Sequence, residues 1–172
     1  DQAYRERLVA LARSLQVESA VCFLGLVDAA EKTSLLESAS QLWLCSHMES
    51  FGMVVVEALA QGTPVLATQS TPWSVLDREQ LGRHVEPTPT AVAQAALALL
   101  AQSEPERRAQ HRRCREFAAA HYTWPAQEAR CQARDALGVG GGEQQGLALG
   151  GAAAGDEGDV VVETHVQHRS EE

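Results

Sequence analysis

Two acids and the turn between them are where this chain could do chemistry. Glu49 and Glu57 are separated by seven residues, with Ser50, Phe51 and Gly52 opening the gap. Met53 to Val56 is rich in β-branched residues and could pass for strand. Glu57 to Gln61 favours helix, and Gly62 supplies a C-terminal stop. A strand here would leave almost no room before the apolar run at Pro64, so the spacing predicts a helix over 52–61. Ser50 to Met53 then forms the turn onto a helix N-terminus. The first N–H groups, at Gly52 to Val54, lack intrahelical acceptors and can hold an anionic diphosphate, helped by the helix dipole. Gly52 allows close approach to the backbone. Glu57 lies about one turn further in, where a carboxylate can accept hydrogen bonds from a vicinal diol such as ribose. Glu49, in the preceding loop, could hold sugar hydroxyls. On spacing alone, a solvated loop acid and a surface helix charge account for these glutamates equally well.

The frame that must position this turn can be read around it. Residues 3–15 read as a helix, with Tyr4, Leu8, Leu11 and Leu15 at helical spacing. Ala20 to Leu24 is a short apolar run closed by Gly25 and predicts a buried strand. Asp28, with Glu31 three positions later, forms a capping-box pattern for a helix over 29–39. Leu42 to Cys45 and Pro64 to Thr68 are two more predicted strands, the second entered by a proline that suits a strand's first residue. Thr71 and Pro72 read as an N-cap and first helical position. Arg83 to Pro87 reads as strand, and 91–101, 104–120 and 125–137 as helices. Short apolar runs alternating with helices predict an α/β fold, a doubly wound parallel sheet with strands buried on both faces. Ligands of such sheets sit beyond the carboxyl ends of the strands, here after Leu24, Cys45 and Thr68.

Composition narrows the classes. A 45% hydrophobic, 22% charged chain of 172 residues can bury one ordinary core. A net charge of -9 and a single lysine, Lys32, argue against a nucleic-acid partner. The longest apolar runs fall short of a membrane span, and the charged start is unlike a signal peptide. Cys22, Cys45, Cys114 and Cys131 lie too far apart for metal-ligand spacing and read as buried free thiols in a reducing compartment. From Gly138 the composition changes: this stretch holds nine of the thirteen glycines, and seven acids against Arg169. We expect residues 138–172 to be a disordered, acidic Gly-rich tail on a body of residues 1–137, because they cannot bury enough apolar surface to offset ordering entropy.

The central segment resembles the retaining glycosyltransferases of the GT-B fold, the large family containing many bacterial mannosyl-, glucosyl- and galactosyltransferases. That family's pattern is Glu-any-Phe-Gly, then Glu-Ala-apolar-Ala-any-Gly-any-Pro-Val. Here it runs Glu49-Ser50-Phe51-Gly52, then Glu57-Ala58-Leu59-Ala60-Gln61-Gly62-Thr63-Pro64-Val65. Tyr4 to Leu8 resembles the helix after the family's third C-domain strand, and Val21 to Gly25 its next strand and base-contacting loop. Lys32 with Leu35 and Leu36 resembles the helix before the donor segment. Thr71-Pro72-Trp73 is similar to a subgroup of the family, and Tyr122-Thr123-Trp124 to the opening of its terminal helix.

The resemblance, which covers roughly residues 1–137, implies the Rossmann-like, donor-binding C-terminal half of a GT-B enzyme. It implies that Glu57 binds the ribose of a nucleoside diphosphate sugar and that Glu49, the expected catalytic contact, touches the donor sugar. Backbone amides of Ser50, Phe51, Gly52, Met53 and Val54 would face the diphosphate, with Gly25 to Val27 near the base. The acceptor would be a sugar or a lipid-linked sugar. Metal-independent transfer is implied, with no cofactor beyond the donor substrate; no Asp-any-Asp motif occurs, and the DEGD of the tail has the wrong spacing. The setting implied is the cytoplasm or the cytoplasmic face of a membrane. The arginines at 107, 108, 112, 113 and 115 could approach an anionic surface, or form a solvated helix face.

This chain departs from the family pattern in two places. The acceptor-binding N-terminal domain, expected as a partner, is not in this sequence. Neither are the first C-domain strands, which bring an Arg and a Lys to the diphosphate. Lys32 falls on the wrong segment for that pair, and Arg78 and Arg83 read as surface charges. One electrostatic donor to a transition state can be worth ~3 kcal/mol. We therefore expect the 172 residues alone to be catalytically incompetent, and the alternative reading is a non-catalytic nucleotide-sugar-binding or interaction domain. His47 and Ser46 read as loop residues; no nucleophile elbow surrounds Ser46. Trp73 could line the sugar pocket or pack under the turn, and Trp43 and Trp124 are assigned to the core.

Overall fold

A computed structural model describes residues 2–123 of the protein. Three short strands, β1 (Leu42–Leu44), β2 (Val65–Thr68) and β3 (Gly82–Val85), form one parallel sheet in the order β1-β2-β3. Leu42 is in register with Val65, and Val65 with Gly82. Parallel neighbours need a crossover. Helix α3 (Met53–Gln61) supplies the first, and the single-turn helix α4 (Val75–Arg78) the second. Around them lie α1 (Gln2–Ser14), α2 (Ala29–Ser38), α5 (Pro89–Leu100) and α6 (Glu104–His121).

Every residue of β2 is buried, as its unbroken apolar run requires. Alternation along the strand still sorts side chains to the two faces. Val65 and Ala67 join a cluster with Val55 and Leu59 of α3, Leu36 of α2 and Cys114 of α6. Leu66 turns the other way, onto Ala95, Ala96 and Leu99 of α5, with Trp43 and Val85 at the margin. Helices on both faces of a parallel sheet make this the doubly wound architecture expected. No described helix is long and apolar enough to cross a membrane.

Local signals account for most helix ends. Asp28 accepts hydrogen bonds from the N–H of Ala30 at 2.8 Å and of Glu31 at 2.9 Å, and Glu31 returns the contact to the Asp28 N–H. This is the capping box the sequence spells. A second box joins Ser103 and Glu106 at the start of α6. Helix α5 begins at Pro89 rather than 91, because Thr88 caps it through the Ala91 N–H.

Three expectations need correction. Ala20 to Leu24 is no strand: Glu18–Ala20 is a 3-10 turn, and the residues after it make no ladder. An extended apolar run becomes a strand only where a neighbour supplies its hydrogen bonds, and β1 pairs with β2 alone among the described residues. Thr71 and Pro72 do not open a helix. The Thr71 hydroxyl donates to the Thr68 carbonyl at 2.7 Å and its N–H donates to the same oxygen, closing a turn that ends β2. Helix α4 starts after Ser74 instead. The thiols are not all buried either: Cys22 and Cys45 are exposed and free. Cys114 is buried, and that burial pushes its pKa up to about 12. The helix expected at 125–137, Trp124, Cys131 and the tail lie outside the described residues. The leucines at helical spacing over 3–15 are also less covered than their periodicity implies: Leu11 of α1, and Leu15 just past its end, are largely exposed.

Candidate functional site

The loop from Cys45 to Gly52 leaves the carboxyl end of β1 and is pinned to the last residue of β2 and the segment that follows it. The Ser46 carbonyl accepts from the Thr68 hydroxyl at 2.8 Å and also from the Ser70 hydroxyl. The Trp73 indole N–H donates to the Phe51 carbonyl. Trp73 is 1% exposed and packs tilted against Phe51 at 5.2 Å between ring centroids and against Tyr122 at 6.0 Å. Of its two sequence readings, packing under the turn is the one observed. Ser46 acts through its main chain, which leaves the loop held at both ends by neighbours already fixed in the core.

Gly52 caps α3 in the left-handed region, at φ 74 and ψ 69. A Cβ there would lie 3.0 Å from a Leu44 methyl, 3.2 Å from Glu49 Cγ and 3.4 Å from Trp73 Nε1. The space a side chain would need is thus taken by protein, so close packing, as well as backbone freedom, requires glycine. Gly52→Ala should lower unfolding stability by about 1–2 kcal/mol, the cost of a left-handed alanine plus a tight contact. Urea denaturation checks this; an unchanged midpoint would contradict it.

Beyond that glycine the helix end is open. The Val55 N–H donates to the Gly52 carbonyl at 2.9 Å. No described residue accepts from the N–H of Gly52, Met53 or Val54. Ser50 and Met53 are exposed, and Phe51 and Val54 are half-buried. Glu49 folds back toward the same turn, its Oε1 3.4 Å from the Phe51 N–H. Three free amides and the positive end of a helix dipole thus share one surface with a carboxylate beside them.

Glu57 sits one turn into α3 and is engaged by a residue the sequence reading set aside. Lys32 Nζ lies 2.7 Å from Glu57 Oε1, both side chains 37% exposed. No described residue hydrogen-bonds Glu57 Oε2. Lys32 reaches it because α2 packs on α3. On α2, Lys32 lies one turn before Leu36, which is 2% exposed and anchors that helix face in the core. That i, i+4 relation to a core leucine was the available signal. Its partner, 25 residues away on another helix, was not readable.

The remaining candidates divide. Gly25 holds a left-handed φ of 71 with open space about it, Leu26 is 94% exposed and Val27 is half-buried. This loop leads into the Asp28 cap of α2, the helix that carries Lys32. Nothing in the geometry brings its side chains against Glu49 or Glu57. His47 is exposed in the loop. Arg78 is exposed and pairs with Glu79 at 3.0 Å. Arg83 lies in the amino half of β3, in a cleft with Gln80, Gln110 and Arg113, at the sheet end opposite the β1 loop. Among the basic residues of α6, Arg107 and Arg108 pair with Glu104. Arg115 donates to the Gln61 carbonyl at 3.0 Å, at the negative end of α3.

Comparison with known proteins places this geometry. The family model described as Glycosyl transferases group 1 matches residues 1–118. D-inositol 3-phosphate glycosyltransferase of Corynebacterium diphtheriae is 34% identical over 123 residues, covering 70% of this chain and 28% of that protein. Glycogen synthase of Mycobacterium tuberculosis is 41% identical over 61 residues, covering 36% of this chain and 15% of that protein. Among solved structures, sucrose-phosphate synthase from Thermosynechococcus elongatus superimposes with a TM-score of 0.66 at 28% identity, covering 79% of this chain and 35% of that one. WaaG, a glycosyltransferase involved in lipopolysaccharide biosynthesis, gives 0.61 at 26% identity, covering 79% of this chain and 36% of that one. The chain spans about a third of the length of these solved structures and less of the sequence relatives. With the motif, the doubly wound sheet and the family match in agreement, this chain belongs to the group 1 glycosyl transferases, and its sheet is part of the Rossmann-like half of a GT-B fold.

Proposed function

We propose that this chain is the donor-binding part of a retaining enzyme that moves a hexose from a nucleoside diphosphate sugar to a sugar or lipid-linked acceptor. The observation that carries the proposal is the open amino end of α3, with three unclaimed amides at Gly52 to Val54 and a carboxylate on either side. The amides receive the diphosphate, where they meet the charge that grows as the sugar–phosphate bond breaks. Glu57 accepts from the ribose hydroxyls. Glu49 orients the donor sugar, and the Gly25 to Val27 loop borders the base.

Transfer in this reading is a front-face displacement. The acceptor hydroxyl attacks the anomeric carbon on the side the diphosphate leaves. A departing phosphate oxygen takes the hydroxyl proton, so the protein positions the partners and forms no bond with the sugar. Metal independence belongs to the same proposal. So does a partner domain that supplies the acceptor site and an Arg and Lys for the diphosphate, and without it the chain binds donor but does not transfer. A cytoplasmic or cytoplasmic-face location fits such a donor. The pairing of Arg107 and Arg108 with Glu104 leaves less free charge for a membrane surface than the sequence run implies.

A thermal-shift screen against UDP, GDP, ADP and their hexose derivatives tests the donor class. Binding to the native state alone raises the melting temperature, by an amount set by ligand concentration over Kd. We expect one base to shift it and the other two to do so weakly. No shift with any of the three at millimolar ligand would sink the donor-site reading.

A further inference from the structure

We infer that Lys32 is a positioning residue for the pentose subsite: it holds one oxygen of Glu57, leaves the other facing the nucleoside, and offers its remaining N–H groups to the same diol. This rests on the reading of Glu57 as the ribose contact. Lys32 Nζ takes Oε1 at 2.7 Å, and no described residue takes Oε2. An ammonium has three donors, and this contact uses one. Donor and acceptor therefore stand side by side at the carboxylate, which is the pattern a pair of adjacent hydroxyls can answer.

Both members sit on packed helices. Leu36 seats α2 in the core, and the Thr63 hydroxyl donates to the Leu36 carbonyl, tying the last turn of α2 to the end of α3. A side chain on a rigid helix keeps its position better than one on a loop. Stability is a poor explanation for the pair, because ion pairs this exposed contribute little to folding. The choice of residue points the same way. The chain uses arginine at every other basic position and lysine only here. A guanidinium fork favours both oxygens of a carboxylate and would compete for the one offered to a hydroxyl, whereas an ammonium is a compact point donor that can hold one oxygen alone.

The test is calorimetric titration of the full 172-residue chain with UDP, GDP and ADP and with their 2′,3′-dideoxy counterparts. Wild type, Lys32→Met, Glu57→Gln and the double variant are compared, with urea unfolding alongside. For whichever ribonucleotide binds, Lys32→Met should weaken it about 5- to 10-fold while changing the dideoxy form less than about twofold. The double variant should bind only about twofold more weakly than Glu57→Gln alone, since most of the lysine's effect passes through the glutamate and only its direct contact with the diol is lost in addition. Lys32→Arg serves should the methionine variant unfold; it should keep the urea midpoint yet lose ribose discrimination. Equal losses on ribo and dideoxy forms would overturn the inference, showing only a general pull on phosphate. So would unchanged affinity in Lys32→Met while Glu57→Gln binds weakly. If Glu57→Gln itself binds like wild type, or no ribonucleotide binds at all, the ribose reading fails first and the lysine role with it.

Discussion

Glu57→Gln should bind its nucleoside diphosphate about 10- to 100-fold more weakly than wild type, which corresponds to losing one or two hydrogen bonds to a charged acceptor at ~1.5 kcal/mol each. The substitution keeps the shape of the side chain and the start of α3, so the amides at Gly52 to Val54 remain in place. What it removes is the negative charge, and with it the charge assistance on any hydroxyl contact. It also breaks the pairing with Lys32, yet the folding penalty should stay under about 1 kcal/mol because both side chains are 37% exposed and screened by water. The two effects are therefore separable. Calorimetry reads the first and urea denaturation the second. A large fall in stability with no change in affinity would mean that Glu57 is a structural residue and that the ribose assignment is wrong.

The helix carrying Glu57 was legible because Gly62 stops it and no room remains for a strand before Pro64. Gly62 adopts the left-handed conformation such a stop expects, whereas Gly52, expected as the first helical residue, is a left-handed N-cap instead. The capping box of α2 was legible for a related reason: it is a contact between residues three apart, wholly contained in the local sequence. The box at Ser103 and Glu106 carries the same local signal and was missed. Failures began where the deciding partner was distant. The apolar residues 20–24 look like a strand, but strand formation depends on a neighbour that no local pattern announces. Thr71 offered a helix cap and instead bonded back to the strand it had just left. Lys32 was dismissed by segment, and only the packing of α2 on α3 reveals that its ammonium reaches Glu57. The tight fit about Gly52 was hidden likewise, since Leu44 and Trp73 approach it from other elements.

The same long-range packing makes Trp73 an anchor of the loop that leads into α3. Trp73→Ala should destabilise the fold by about 3–5 kcal/mol, the usual range for emptying a fully buried aromatic site. Trp73 is 1% exposed, touches both Phe51 and Tyr122, and its indole N–H is the donor to the Phe51 carbonyl. Truncation leaves a cavity under the turn and strips that carbonyl of its partner. Gly52, which Trp73 borders, is then free to sink toward the vacated indole site, which shifts the amides that open α3. Trp73→Phe separates the two contributions: it refills most of the volume and removes only the N–H, so its stability loss should be about 1–2 kcal/mol. If the loop is held chiefly by that hydrogen bond, the phenylalanine variant will still bind nucleoside diphosphate several-fold more weakly than wild type at full folding. If packing alone holds it, affinity will be unchanged in Trp73→Phe. Urea unfolding and calorimetry on the two variants decide between these, and a Trp73→Ala protein as stable as wild type would contradict the buried anchor altogether.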